Sequence, residues 1–527
     1  MKIVVTFCFF VFGYIANCFA QQKSKTVYTN PIIHADYSDP DAIRVGDDYY
    51  MIASSFNCIP GLPILHSKDL VHWKIKSYAL HKLKPESEFD KPQHGNGVWA
   101  PSIRYHKNEF YIYYPDPDHG IYLIKAKNIE GPWTEPILVE EGKGLIDPCP
   151  LWDDNGKNYL VHAYAGSRAG FKSILVLKEL NAAADKTTSD AVLIYDGHDN
   201  DATVEGPKIH KYNGFYYVFA PAGGVGTGWQ IVLRSKNIYG PYERKIVMAQ
   251  GNTNVNGPHQ GAWVQTKTGE DWFLHFQDKE AYGRIVHLQP MQWKNGWPVI
   301  GEDKDGDGVG DPVMSYKMPF SSNQSSLFEI AESDEFNNAS LGLQWQWHAN
   351  SQGGWAFSYP AKGVLRMNSV LDSINNLWQA PNLLLQKLPA EKFDATVKFL
   401  FTPKTVGERF GFVMMGSSYA YISLVKKSDG LFLTYNTCIG ADKGKTEEEK
   451  IIAPVQAVDM YFKVSVDTGA QCSFSYSNDG VTFIDIDQTF TAKPGRWIGA
   501  KLGLFCTRKI KINDGGFTDI DWFRVKK

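Results

Sequence analysis

Cysteine is scarce in this sequence, with 7 in 527 residues. Two fall in the N-terminal leader described below, which leaves Cys58, Cys149, Cys438, Cys472 and Cys506. The number is odd and none of them stands in a Cys-x-x-Cys or Cys/His pattern, so neither a disulfide framework nor a zinc site is indicated. We expect free buried thiols, and a Cys472–Cys506 pair is left open for an oxidising compartment.

The sequence also has no excess of charge of either sign. It holds 54 Lys and Arg against 57 Asp and Glu, a formal net charge of −3. Because phosphate binding usually leaves a basic excess, nucleic acid is not an expected partner. The balance of 43% hydrophobic and 21% charged residues also excludes general disorder.

Long apolar runs are missing except at the N-terminus. Lys2, the apolar stretch 3–14 and the small-x-small site ending at Ala20 predict a signal peptide over residues 1–20. No later segment reaches the roughly 20 apolar residues of a membrane span, so no transmembrane segment is expected. We therefore expect an exported protein of the periplasm. A lipoprotein anchored through Cys18 and a secreted protein are the alternatives.

Aromatic residues and turn formers are abundant instead. Phe, Trp and Tyr make up 14% of the chain, and there are 47 Gly and 27 Pro. This composition favours short strands and tight turns over long helices. The predicted fold class is all-β.

One pattern occurs five times over residues 27–315: a β-rich run, a short polar turn and a run dense in aromatics. The turns are marked, at fairly even spacing, by Gly46, Asn108, Gly156, Gly214 and Gly269. Their dipeptides suit tight hairpins. A period of this order with several strands per unit is typical of propeller blades. We predict a five-bladed β-propeller over residues 21–318.

The rest of the chain differs in composition. Residues 319–331 contain the run PFSSNQSS and are predicted to be a linker. Residues 332–527 show short alternating strands, which predict a β-sandwich domain. Before the linker, residues 303–311 begin like a calcium loop, but Met314 stands where such a loop needs a bidentate Glu. We interpret that segment as a solvated turn between the domains.

The repeat also predicts where a site lies. Three acids stand shortly before the turn of their unit: Asp39 in the first, Asp147 in the third and Glu205 in the fourth. Equivalent positions in successive blades lie at one level around the propeller axis, so we expect these side chains to meet. Two or three carboxylates suit hydrolysis of a glycosidic bond, in which one carboxyl protonates the leaving oxygen while another activates water or attacks. A third keeps the acid protonated by like-charge repulsion.

Two aromatic residues and one arginine complete the predicted sugar site. Trp99 occupies the equivalent position in the second unit, and with Phe56 it offers an apolar platform for a sugar ring. Arg284 offers directed hydrogen bonds to sugar hydroxyls, although a purely structural role for it fits the sequence nearly as well. A non-catalytic sugar-binding protein would not need three carboxylates, so hydrolysis is favoured.

The motifs around these residues resemble glycoside hydrolase family 43. The matching segments include SDPDAIRVGDDYYM at 38–51, VWAPSIRYH at 98–106, IDPCPLWDDNGKNYL at 146–160 and EGPKIHKYNGFYY at 205–217. Segments 334–347 and 516–525 resemble the concanavalin A-like sandwich attached to exo-acting members of that family.

The resemblance implies an inverting mechanism. It makes Asp39 the general base, Glu205 the general acid and Asp147 the residue that tunes and orients the acid. The residues that it places around the pocket for the terminal sugar are Phe56, Trp99, Ala100, His259 and Arg284.

The resemblance does not decide whether a metal ion binds. The sequence also departs from the family pattern at the wall of the pocket. No cofactor is required, but in some members a calcium ion lies near the position of His259. In xylosidase members the loop matching 497–503 closes the pocket with an aromatic residue. We expect Lys501 at that point here, which would make the wall more polar or more open.

The expected activity is that of an exo-acting α-L-arabinofuranosidase on hemicellulose side chains, from xyloglucan or arabinoxylan oligosaccharides. A β-D-xylosidase or a bifunctional enzyme is the alternative, and a non-catalytic sugar-binding protein is a remote one. The sequence does not indicate an oligomeric state.

Overall fold

The computed structural model describes residues 27–320, 328–372 and 376–527. The predicted signal peptide, Cys18 and most of the predicted linker lie outside these ranges. Within them the chain is almost entirely β-structure, and no described helix is long and apolar enough to span a membrane. The described helical segments are Glu86–Phe89, Gly166–Ala169, Glu280–Tyr282, Leu377–Gln379 and Ala441–Lys443.

Five four-stranded antiparallel sheets follow one another between Asp41 and Ile300, which confirms the predicted five-bladed propeller. In each blade the strands pair in chain order. The strands, blade by blade, are Asp41–Val45, Asp48–Ile52, Gly61–Ser67 and Trp73–Leu80; Ser102–His106, Glu109–Asp116, Gly120–Ala126 and Ile137–Glu141; Leu145–Trp152, Asn158–Tyr164, Ile174–Leu180 and Val192–Asp196; Lys208–Tyr212, Phe215–Ala222, Trp229–Ser235 and Glu243–Met248; and His259–Gln265, Asp271–Asp278, Arg284–Lys294 and Trp297–Ile300.

The first hairpin of each blade turns where the repeat predicted. In the fourth blade Asn213 and Gly214 have φ of 48° and 77° between the paired residues Tyr212 and Phe215. Positive φ at both central residues gives the turn whose twist matches that of the strands. No atom lies within 4 Å of where a Cβ on Gly214 would stand, so the backbone conformation rather than packing favours glycine there.

The two ends of the propeller are joined by a short pair of strands. Val27–Thr29 pairs antiparallel with Ser315–Lys317. Next to it the Asn30 amide donates to the carbonyls of Leu288 (2.8 Å) and Val313 (2.7 Å). These bonds tie the beginning of the domain to its last blade.

The second domain is a sandwich of two sheets that are antiparallel except where Val370–Leu371 pairs parallel, which confirms the predicted sandwich. Its strands pack a continuous core of buried aromatic and aliphatic side chains between the sheets. One sheet contains Gln346–Trp347, Leu384–Lys387, Lys501–Arg508, Arg409–Met415, Tyr419–Lys427, Gly430–Cys438 and Glu448–Val455, with Val370–Leu371 beside Lys501–Arg508. The other contains Ala356–Tyr359, Val364–Asn368, Phe517–Lys526, Phe393–Thr402, Asp459–Asp467, Gln471–Ser477 and Ile484–Thr491.

The domains are joined by backbone pairing as well as by packing. The Ile59 N–H in the first blade donates to the Trp347 carbonyl in the sandwich (3.1 Å), and these residues form a β-bridge. Tyr282 of the fifth blade is buried in the sandwich core and donates to the Glu391 carbonyl (2.9 Å). The sandwich therefore lies firmly against the first and last blades.

The cysteines follow the first of the two expectations. All five of the described cysteines are free and buried, and the Cys472–Cys506 pair does not form. Cys506 instead contacts the Thr518 hydroxyl at 3.6 Å.

Candidate active site

The first strands of the five blades bring most of the predicted site residues into one pocket of about 100 Å³. In each blade, a residue that lines the pocket lies within three residues of the start of the first strand. The pocket is lined by Asp39, Phe56, Trp99, Ala100, Ile146, Asp147, Glu205, Val225, Gln260, Arg284 and Trp497. Of the predicted site residues, only His259 does not line the pocket, and it contacts Glu205 instead.

The backbone is strained where it presents the acids. Asp39 and Asp147 have φ of 56° and 58°, and Gln260 has φ of 36°. The strand pairing also shifts register between Ile146 and Cys149. Such left-handed conformations and bulges are costly for residues other than glycine and are common at functional sites, where they redirect a side chain. Here they direct residues of several blades into one pocket.

Asp39 is held by two donors on opposite oxygens. It is buried, with 5% of its surface exposed. Its Oδ2 accepts from the Ser54 hydroxyl, and its Oδ1 accepts from Arg284 Nη1 at 2.9 Å. The arginine places a positive charge against the carboxylate, and the two bonds fix its orientation.

The Asp147 carboxyl interacts with that of Glu205. Asp147 is buried, and its Oδ2 accepts from the backbone N–H of Gly206 at 2.7 Å. Burial, followed by the charge of Glu205, raises the pKa of Asp147 to about 7. A neighbouring carboxyl that favours its neutral form suits the surroundings of a general acid.

His259 contacts Glu205 from outside the pocket. Its side chain is fully buried, and its Nε2 lies 2.9 Å from Glu205 Oε1. Its Nδ1 is buried and has no hydrogen-bond partner. The contact orients the Glu205 carboxyl, whose side chain keeps 26% of its surface exposed toward the pocket.

The walls of the pocket are aromatic. Trp99 is fixed by a 2.7 Å hydrogen bond from its Nε1 to the Gly95 carbonyl. Phe56 and Trp497 contact it edge-on, with ring centroids at 6.4 and 6.1 Å. The Arg168 guanidinium lies 5.3 Å from the Trp99 ring centroid. Aromatic faces beside carboxylates suit a sugar, which has apolar C–H faces and a rim of hydroxyls.

The expectation for Lys501 is wrong, and Trp497 closes the pocket on the sandwich side. Lys501 is buried in a strand of the sandwich, and its Nζ lies 2.9 Å from Cys58 Sγ and 3.5 Å from Gln346 Oε1. Its side chain therefore lies in the interface between the domains, whereas Trp497 lines the pocket. The preceding loop has no periodic pattern from which this register could be read.

Asp36 is a residue that the sequence reasoning missed. Its Oδ1 accepts from the Arg284 backbone N–H (2.9 Å) and the Ser38 hydroxyl (3.1 Å). Its Oδ2 accepts from the Gly499 N–H of the sandwich at 3.0 Å. Asp36 therefore attaches the loop that carries Trp497 to the residues around Asp39. It occupies no equivalent position in the repeat, so nothing in the sequence marked it.

The donor set around His259 does not fit a calcium site built from protein ligands. Calcium takes six to eight oxygen ligands, and His259 offers one nitrogen. Among the described residues, the one group of three ligand-bearing side chains close enough to share a metal is Asp303, Asp305 and Asp307, none of which lines the pocket. A calcium ion held beside His259 through water stays a prediction, and no step below depends on it.

Comparison with known families agrees with this geometry. Residues 28–298 match the model for glycosyl hydrolases family 43, and residues 333–526 match the β-xylosidase C-terminal concanavalin A-like domain. The chain belongs to glycosyl hydrolase family 43. The predicted family is thus confirmed, and this family 43 chain is a glycosidase.

Similar proteins match this glycosidase over 78% to 95% of its length. A "Putative beta-xylosidase" of Xylanibacter ruminicola is 36% identical over 91% of this chain and 86% of its own length. A "Beta-xylosidase" of Formosa agariphila is 32% identical, over 94% and 90%. A "Non-reducing end alpha-L-arabinofuranosidase" of Bacteroides ovatus is 28% identical, over 78% and 77%. A crystal structure of a family 43 protein mutant from Bacillus licheniformis has a TM-score of 0.82 at 26% identity, covering 95% of this chain and 99% of its own.

Proposed function

We propose that this family 43 glycosidase is exo-acting and releases a single terminal pentose, foremost β-D-xylose, from the non-reducing end of xylan-type oligosaccharides. The observation that carries the proposal is the small pocket of about 100 Å³, which Trp497 closes on the sandwich side. Sites for larger ligands have volumes of roughly 300–1,000 Å³. A closed pocket of this size favours one sugar at a chain end over the interior of a polymer.

The proposed reaction is a single displacement with inversion. Asp39 takes a proton from water, and the water oxygen forms a bond to the anomeric carbon. The glycosidic C–O bond breaks as Glu205 gives its proton to the leaving oxygen, so the products are the free sugar and the shortened chain. Asp147 keeps a proton on the carboxyl pair, and Arg284 holds Asp39 in position.

The preference for xylose is supported by the relatives and by the closed wall. The relatives of Xylanibacter ruminicola and Formosa agariphila carry β-xylosidase names. An open wall at Lys501 would favour arabinofuranose, but Lys501 lies outside the pocket. Release of α-L-arabinofuranose stays a second candidate because the Bacteroides ovatus relative is named for it.

The test compares 4-nitrophenyl β-D-xyloside and α-L-arabinofuranoside with xylobiose. We expect the higher kcat/KM on the xyloside and, by NMR, α-xylose as the first product. Glu205→Gln should lower kcat/KM about 10²–10⁴-fold on xylobiose. The loss should be smaller on 4-nitrophenyl xyloside, because its leaving group needs little protonation. Asp39→Asn should lose activity on both.

The exposed Glu135, whose side chain is 83% accessible, provides the matched control. Glu135→Gln should leave both rates unchanged. An Asp39→Asn protein with near-native activity would overturn the assignment of the base. First release of β-xylose would overturn inversion, and faster release of arabinose than of xylose would reverse the sugar preference.

We also propose that the glycosidase is exported to a periplasm by a signal peptide at residues 1–20, on the sequence pattern alone. Metabolic labelling with a clickable fatty acid tests the alternative. Label that depends on Cys18 would indicate a membrane-anchored lipoprotein instead.

A further inference from the structure

A second and larger cavity lies directly behind one wall of the pocket. Its volume is about 760 Å³, and it shares two residues with the pocket, Arg284 and Trp497. The propeller lines it with residues 92–94, Asn96, Asp278, Glu280, Gly283 and Arg284, and the sandwich lines it with Trp378, Ser417, Asp442 and residues 494–498. The indole of Trp497 and the side chain of Arg284 therefore separate two cavities.

The lining of this cavity resembles that of a sugar site in its chemistry. The half-buried Trp378 ring stacks on His94 with centroids 3.5 Å apart and an angle of 13° between the planes. The side chains of Asp278, Glu280 and Arg496 also line it. An aromatic face with carboxylates and a guanidinium around it offers stacking for a sugar ring and partners for its hydroxyls.

The cavity borders the part of the pocket wall formed by Arg284 and Trp497, and not the general acid. Arg284, which holds Asp39, lines both cavities, whereas neither Glu205 nor His259 lines the larger one. The leaving group must depart past the acid that protonates it. The larger cavity is therefore placed for sugar on the non-reducing side of the bond and not for the leaving group.

Of the two side chains between the cavities, that of Trp497 belongs to an anchored loop. Before Trp497, the Pro494 carbonyl accepts from the Ser417 N–H at 3.0 Å, and after it the Gly499 N–H donates to Asp36. Trp497 itself has φ of 65° and is 43% exposed. Truncating its side chain removes the indole from the wall and leaves Arg284 and both anchors of the loop in place.

We propose that the larger cavity accepts a second sugar unit, on the non-reducing side of the one in the pocket, once the indole of Trp497 is removed, and that Trp497 is the specificity-determining residue that excludes such a unit from the native enzyme. This rests on the proposed exo action. With the indole present, the pocket admits one sugar and the product is a monosaccharide. Without it, an oligosaccharide places two units on the non-reducing side of the bond, and the product is a disaccharide.

The experiment follows the products from xylotetraose labelled at its reducing end. Wild type should release xylose alone. Trp497→Ala and the milder Trp497→Leu should release xylobiose as a readily detected share of the product, about a tenth or more. Trp497→Phe keeps an aromatic wall, so it should release only xylose. Adding Trp378→Ala to Trp497→Ala should lower the ratio of xylobiose to xylose severalfold.

Trp522→Ala in the sandwich, where Arg524 covers the indole at 4.2 Å, is the matched control and should leave the product pattern unchanged. If Trp497→Ala or Trp497→Leu melts like wild type, still cleaves 4-nitrophenyl xyloside and releases only xylose from xylotetraose, the subsite is overturned. If wild type itself releases xylobiose or longer products, the proposed exo function fails instead. The two failures are therefore distinguishable.

Discussion

The backbone N–H of Gly499 donates a 3.0 Å hydrogen bond to the carboxylate of Asp36, which joins the sandwich loop to the catalytic side of the propeller. The other oxygen of the same carboxylate accepts from the backbone of Arg284, the residue that holds Asp39. One buried carboxylate therefore positions both the closing wall and the base.

Replacing Asp36 should disturb the wall and the base together. Asp36→Ala leaves buried donors without an acceptor, a cost of roughly 1–3 kcal/mol for each group. We expect a lower melting temperature and a kcat/KM on 4-nitrophenyl xyloside reduced about tenfold or more, with Asp36→Asn in between. Glu335→Gln, which removes one exposed ion pair, serves as the control. An Asp36→Ala protein with native kinetics would show that the loop needs no such anchor.

Asp147 should make stability depend on pH. Because its pKa is raised from 3.8 to about 7, the folded protein favours its neutral form. Its contribution to stability is therefore fully present below about pH 4 and is lost as the pH rises through 7. Asp147→Asn is neutral at every pH. Relative to wild type, its free energy of unfolding should rise between pH 4 and 8 by up to a few kcal/mol. Urea unfolding at each pH measures this difference, and a constant difference would contradict it.

The same substitution should move the pH profile of the reaction. The charge of Glu205 helps to raise the pKa of Asp147, so the two carboxyls repel each other when both are ionised. Without the Asp147 charge the proton of the general acid leaves at lower pH, so the alkaline limb of kcat/KM should shift down by about one pH unit. An unmoved alkaline limb in Asp147→Asn would mean that Asp147 does not tune the acid.

Arg168 should act as a positioning residue for Trp99. It donates to Asn96 Oδ1 at 2.6 Å and to Asp118 Oδ1 at 3.2 Å, with its guanidinium 5.3 Å from the Trp99 ring. Lysine cannot make the same fork of bonds, so Arg168→Lys should raise KM about threefold to tenfold and change kcat little. In the matched control, Arg524→Lys beside Trp522 in the sandwich, neither constant should change. A fall in kcat alone would refute the positioning role.

Lys501 should have no influence on sugar choice. It contacts Cys58 and Gln346 at the domain interface, outside the pocket. Lys501→Met should leave the ratio of kcat/KM for the xyloside and the arabinofuranoside unchanged, whereas Trp497→Leu should change it, because that ring contacts Trp99. Burial and the charge of Lys501 lower the pKa of Lys387 to about 8, so loss of that charge should also raise the pKa of Lys387. A changed ratio of the two kcat/KM values in Lys501→Met would show that Lys501 does form part of the pocket wall.

The sequence by itself determined the propeller, the sandwich and most of the residues of the propeller pocket. Turns such as Asn213-Gly214 record a local backbone requirement, so five of them at regular spacing predict five hairpins, and equivalent positions in the repeat predict that Asp39, Asp147 and Glu205 meet. Tertiary structure alone decided which sandwich residue closes the pocket and what holds it. Trp497 and Asp36 belong to loops without period or repeat, and the bond from Gly499 to Asp36 joins residues 463 positions apart. Such contacts are fixed by how two domains pack, and a local pattern carries no record of a partner so distant in the chain.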